Sequence, residues 1–98
     1  MLTPKQRQFL KAQAHPLKPN VHIGKAGVTE ALAVELDAML ESLELMKIKL
    51  NQNTFEDLAT VTQALTAKVP GLEVVRTLGH TVLVFRASRL RPTAYTLP

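Results

Sequence analysis

Ninety-eight residues, 46% hydrophobic and 20% charged with 4 Gly and 6 Pro, make one ordinary globular domain and exclude a disordered, collagen-like or two-core chain. The absence of cysteine excludes a disulfide framework, a thiolate metal site and a cysteine nucleophile. The net charge of +4 is segregated: residues 1–27 carry five bases and no acid, residues 28–46 five acids and no base, and residues 47–98 seven bases and three acids. A basic face suits a polyanion, and the acidic stretch should form a separate patch. No apolar run approaches the roughly 20 residues of a membrane span. The polar start, Met1 to Arg7, has no apolar signal core, so a cytoplasmic protein away from membranes is expected.

Thr3 and Pro4 open a first helix, with Gln6 at capping-box distance from Thr3. It should end near Ala14, because Pro16 pushes His15 out of the helical region. Leu17-Lys18-Pro19 is a stiff connector, and Asn20–Ile23 reads as a short strand. Gly24-Lys25-Ala26-Gly27 breaks the pattern. Beyond it Thr29 caps a long amphipathic helix to about Leu43, whose polar side carries Glu30, Asp37, Glu41 and Glu44.

Leu45–Leu50 alternates, with Met46, Ile48 and Leu50 on one face and Lys47 and Lys49 on the other. After a polar turn at residues 51–53, Thr54 begins a third helix. Asp57 lies at capping-box distance, Phe55, Leu58, Val61, Leu65 and Val69 form the apolar stripe, and Pro70-Gly71 stops it. Strands at Leu72–Leu78 and Thr81–Arg86 flank Gly79-His80, which suits a type II′ hairpin. A basic tail with Arg89 and Arg91 follows. The order α-β-α-β-α-β-β predicts an α/β fold: a two-layer, mixed four-stranded sheet over residues 1–98, with the second and third helices on one face. The first helix reads as an addition, and the opposite sheet face should expose Lys47 and Lys49.

Catalytic constellations are not found. His15, His22 and His80 lack helical metal-ligand spacing, and Ser42 and Ser88 lie outside any G-x-S-x-G context. A Walker loop is absent, and the carboxylates read as a solvated helix face. No enzyme, metal or cofactor is expected. What remains is the Gly24–Gly27 loop between a strand and a helix. Its two glycines allow close approach, its N–H groups and the following helix N-terminus favour a phosphate, and Lys25 adds a full charge. KH domains clamp a nucleic-acid backbone with such a G-x-x-G loop. The same tetrapeptide is also a common tight turn. Aromatics are sparse, so backbone and shape recognition of structured RNA fits better than a stacking platform.

Four segments together resemble the CRM domain family, named for chloroplast RNA splicing and ribosome maturation, and most closely its stand-alone bacterial, YhbY-like members. They are Leu10 with Ala14-His15-Pro16-Leu17-Lys18-Pro19, Val21–Gly27, Leu43–Leu50 and Leu78–Arg86. The resemblance implies a fold similar to the C-terminal domain of translation initiation factor three. It implies RNA binding through Gly24, Lys25, Ala26 and Gly27, with Lys18, Lys47, Lys49 and Arg86 carried over by position. A tyrosine often precedes that arginine in the family; Phe85 stands here. For the stand-alone members the resemblance implies association with ribosomal RNA in precursors of the large ribosomal subunit. Two other readings of the same features stay open: a DNA-binding, nucleoid-type protein, and an interaction module that meets a protein partner with its acidic helix.

Overall fold

The computed structural model describes residues 2–51 and 57–98. Helix α1 (Pro4–Ala14) opens on the expected reciprocal box, in which the Gln6 amide donates to Thr3 Oγ1 and the Thr3 amide to Gln6 Oε1. Its end is not explained by a displaced His15, which keeps helical angles of φ −50° and ψ −46°. Pro16 has no N–H to continue the ladder, and the Leu17 amide closes the turn onto the Ala14 carbonyl at 2.9 Å.

Strand β1 (Val21–Ile23) leads through the Gly24–Gly27 turn to α2 (Glu30–Leu43), and β2 (Leu45–Leu50) follows. Helix α3 (Leu58–Lys68) is capped by Asp57, whose carboxylate accepts the Thr60 amide at 2.8 Å. Asp57 is thus the cap itself; the expected start at Thr54, and Phe55, lie outside the described residues. Strands β3 (Glu73–Leu78) and β4 (Thr81–Phe85) form the hairpin. Gly79 takes φ +59°, as the first position of a type II′ turn requires.

The sheet order is β1-β2-β4-β3, with β1 parallel to β2 and the other pairs antiparallel. Alternation along β2 and β4 sends Met46, Ile48, Val82 and Val84 into a core shared with Leu36 and Leu40 of α2 and Val61 and Leu65 of α3. The opposite sheet face is not bare. Leu10 and Ala14 of α1 pack there against Leu45, Val75, Leu83 and Phe85, with Tyr95 and Leu97 of the tail at the margin. Arg7 ties α1 to the Val75 carbonyl of β3 at 3.0 Å, beside a register shift between Val74 and Arg76. The first helix is therefore part of the fold rather than an appendage. It covers only the end of the sheet where β2 starts and β4 finishes, and leaves the other end of that face open.

Candidate nucleic-acid interface

The Gly24–Gly27 segment is a closed turn: the Gly27 amide donates to the Gly24 carbonyl at 3.0 Å, putting Lys25 and Ala26 at an exposed tip. The two glycines have different jobs. Gly27 is buried at φ +66°, where a side chain is strained. Gly24 does not adopt a positive φ, and a Cβ there would meet only Asn51 Nδ2 at 3.9 Å. The loop also does not run directly into α2. Val28 is buried, and Thr29 Oγ1 accepts the Leu32 amide at 3.1 Å. Glu30 sits in the first turn with Lys68 at 3.2 Å. A hydroxyl cap thus takes one amide of this helix N-terminus and an acid lies in its first turn, which weakens the expected anion site there and makes the turn and Lys25 the main positive feature.

Lys18, Lys47 and Lys49 lie along the β1–β2 side of the sheet, below the turn. Lys49 is exposed and pairs with His22 across the strands. Lys47 departs from expectation: it is half-buried, because the α1–β1 connector folds over it and its Nζ donates to the Leu17 carbonyl at 2.8 Å. Lys18 is exposed on that connector, next to the carbonyl that holds Lys47.

Arg86 does not belong to this surface. It is 5% exposed and its guanidinium is engaged inside the fold, with Asp37 Oδ1 at 2.5 Å, the Asp37 carbonyl at 2.8 Å and the Pro70 carbonyl at 2.9 Å. The strand alternation that buries Val84 should have turned Arg86 the same way, toward α2.

The acidic face of α2 is also occupied from within. Beyond β4 the chain turns along α2, and Arg89 reaches Asp37 at 3.2 Å and Glu41 at 3.7 Å. The Ser88 hydroxyl and the Arg89 amide donate to Glu41. These donors pull the Glu41 carboxyl down to about 2, Ser88 contributing most. The Arg86 hydrogen bond likewise holds Asp37 below its ordinary value. Glu44, 1% exposed and at φ +63°, takes the Ala94 and Ser88 amides at 2.7 Å each. Burial pushes its carboxyl up, but those two amides bring it down on balance. Of the patch expected to meet a partner, Asp37, Glu41 and Glu44 seat the protein's own tail, and Glu30 stands apart with Lys68.

With Arg86 and Arg89 drawn to this edge, exposed Lys11, Lys18, Lys25, Lys49 and Arg76 give the opposite face and the loop end their positive charge. Lys11 and Arg76 count in the sequence only toward its basic blocks and not among the expected contacts, although the hairpin register alone sets Arg76 opposite Leu83. Among the described residues no cluster of His, Asp and Glu could hold a metal ion, and no helix is long and apolar enough to cross a membrane.

Comparison with known proteins adds an independent finding. A model of the CRS1/YhbY (CRM) domain matches residues 2–86. The probable RNA-binding protein YqeI of Bacillus subtilis is 37% identical over 91% of this chain and 92% of its own length. An RNA-binding protein of Haemophilus influenzae is 34% identical over 89% and 87%. The solution structure of the hypothetical protein SAV1595 from Staphylococcus aureus, a candidate RNA-binding protein, superposes with a TM-score of 0.79 at 33% identity, covering 100% of both chains.

Proposed function

The chain belongs to the CRS1/YhbY (CRM) domain family, and from that premise we propose that it binds structured RNA and assists assembly of the large ribosomal subunit. The observation that carries the reading is the sorting of charge by the fold. Arg86 and Arg89 are paired with the acids of α2, while Lys18, Lys25 and Lys49 are exposed along one side that ends in the glycine turn. Such a surface neutralises phosphates and needs few aromatic platforms, so affinity comes from the backbone and shape of the RNA rather than from base readout. Gly24–Gly27, Lys18, Lys47 and Lys49 are the proposed contacts, with Lys47 half-covered; Arg86 acts by holding α2 to the sheet edge.

A crosslinking map in cells tests the assembly role. Crosslinks concentrated in large-subunit ribosomal RNA of precursor particles are expected. Crosslinks spread over messenger RNA, or preferential recovery of DNA, contradict it.

A further inference from the structure

The end of the sheet face that α1 leaves open carries two rows of side chains, aligned by register. One row is His22, Lys49, Thr81 and Leu78, and the next is Lys47, Leu83 and Arg76. The second row sets a buried leucine between two cations. The last turn of α1 closes it from the side, adding Lys11, Ala14 and His15 around a cavity of about 280 Å³. Its floor is apolar, from Ala14, Leu83 and Leu78, the last 65% exposed. Its rim is cationic, from Lys11, Lys47 and Arg76, and no Asp or Glu lines it among the described residues.

Phosphate alone needs no apolar floor, and an apolar ligand alone needs no three cations. Both halves are met by a flat heterocycle joined to a phosphate. A guanidinium such as that of Arg76 stacks on a base, and aliphatic side chains cover the base's other face. The Leu17 carbonyl fixes the Lys47 ammonium beside the cavity, and an ammonium has three donors in all. The volume, at the low end of the roughly 300–1,000 Å³ usual for small-molecule sites, suits one nucleotide unit. A base inside a duplex cannot enter, so the occupant is unpaired.

We propose that this cavity between the end of α1 and strands β2, β4 and β3 binds one unpaired nucleotide of an RNA loop or end. The base lies on Leu83 and Leu78 against Arg76, and the phosphate meets Lys11 and Lys47. The inference rests on the RNA-binding reading and adds to it a site that the glycine loop does not supply.

The test pairs amide chemical-shift mapping with binding to two RNAs sharing one stem, a hairpin with an unpaired loop and a blunt duplex. Addition of 5′-AMP should shift the amides of Ala14, Thr81 and Leu83, and ribose 5-phosphate should shift them far less. Arg76→Ala and Lys11→Ala, both at exposed positions, should weaken the hairpin more than the duplex, by about fivefold to tenfold in relative affinity. Lys25→Ala should weaken both RNAs alike. An equal response to ribose 5-phosphate makes the cavity a phosphate site and overturns the nucleotide claim. Equal losses on both RNAs from Arg76→Ala overturn it too, and leave RNA binding standing. Shifts with 5′-AMP in a protein that binds neither RNA assign the cavity to a free nucleotide and overturn the proposed function as well.

Discussion

At the scale of single residues, the two glycines of the loop separate folding from binding. Gly27→Ala forces a side chain into φ +66° and should cost roughly 1–2 kcal/mol of stability, read as a lower melting temperature. Gly24→Asp adds a carboxylate at the start of the turn in uncrowded space, so it should melt like the wild type and bind RNA less tightly. Lys25→Ala should lose about 1–2 kcal/mol of binding without a change in melting. Normal binding by both the Gly24 and Lys25 variants would reduce the loop to a turn. Arg86 makes the reverse case. Arg86→Ala leaves the Pro70 carbonyl without its side-chain donor, removes the guanidinium from Asp37 and opens space beneath Gly71, so about 2–4 kcal/mol of stability should go. Its RNA affinity, measured below the melting transition, should stay at the wild-type value; a selective loss of binding with normal melting would put Arg86 back at the interface.

At the scale of elements, the tail is a strap with an acid-sensitive buckle. Asp37, Glu41 and Glu44 all have carboxyls held below their ordinary values in the folded chain. Groups of this kind contribute stability that is complete above the ordinary value and is lost as pH falls through the folded one. For Glu41 that window runs from 4.5 down to about 2. Amide shifts of Ser88, Arg89 and Ala94 should move toward unstructured values in that range, ahead of those of Val82 and Val84 in the sheet core. Loss of all of them at one midpoint would show that the tail is no separate unit. The same strap explains what could be foreseen of the elements and what could not. Caps at Thr3 and Thr29, the breaks at Pro16 and Pro70-Gly71, and the Gly79-His80 hairpin are local chemistry, and each stands where local rules put it. The burial of Arg86, the seat of the tail on α2 and the half-cover over Lys47 come from contacts such as Arg86 with Asp37 and Lys47 with Leu17, far apart in the chain. Alternation along β4 announces only the inward turn of Arg86; no periodicity announces its partners, the seat of the tail or the cover over Lys47.

At the scale of the whole molecule, one chain of mixed charge becomes a particle with Asp37 and Glu41 joined to Arg86 and Arg89 at one edge and with exposed lysines at the loop end and open sheet face. Segregation of charge was visible as three blocks along the sequence, yet the blocks did not tell which bases would be spent inside the fold. The central claim is that binding is led by phosphate contacts on the lysine-bearing face. The most direct measurement is the salt dependence of affinity for a stem-containing RNA, for the wild type and Lys25→Ala. With about three to five phosphates neutralised, log affinity should fall against log salt with a slope near −3 to −4, and the variant's slope should be shallower by about one. An affinity that does not change with salt, or a variant slope equal to the wild type's, would contradict the account.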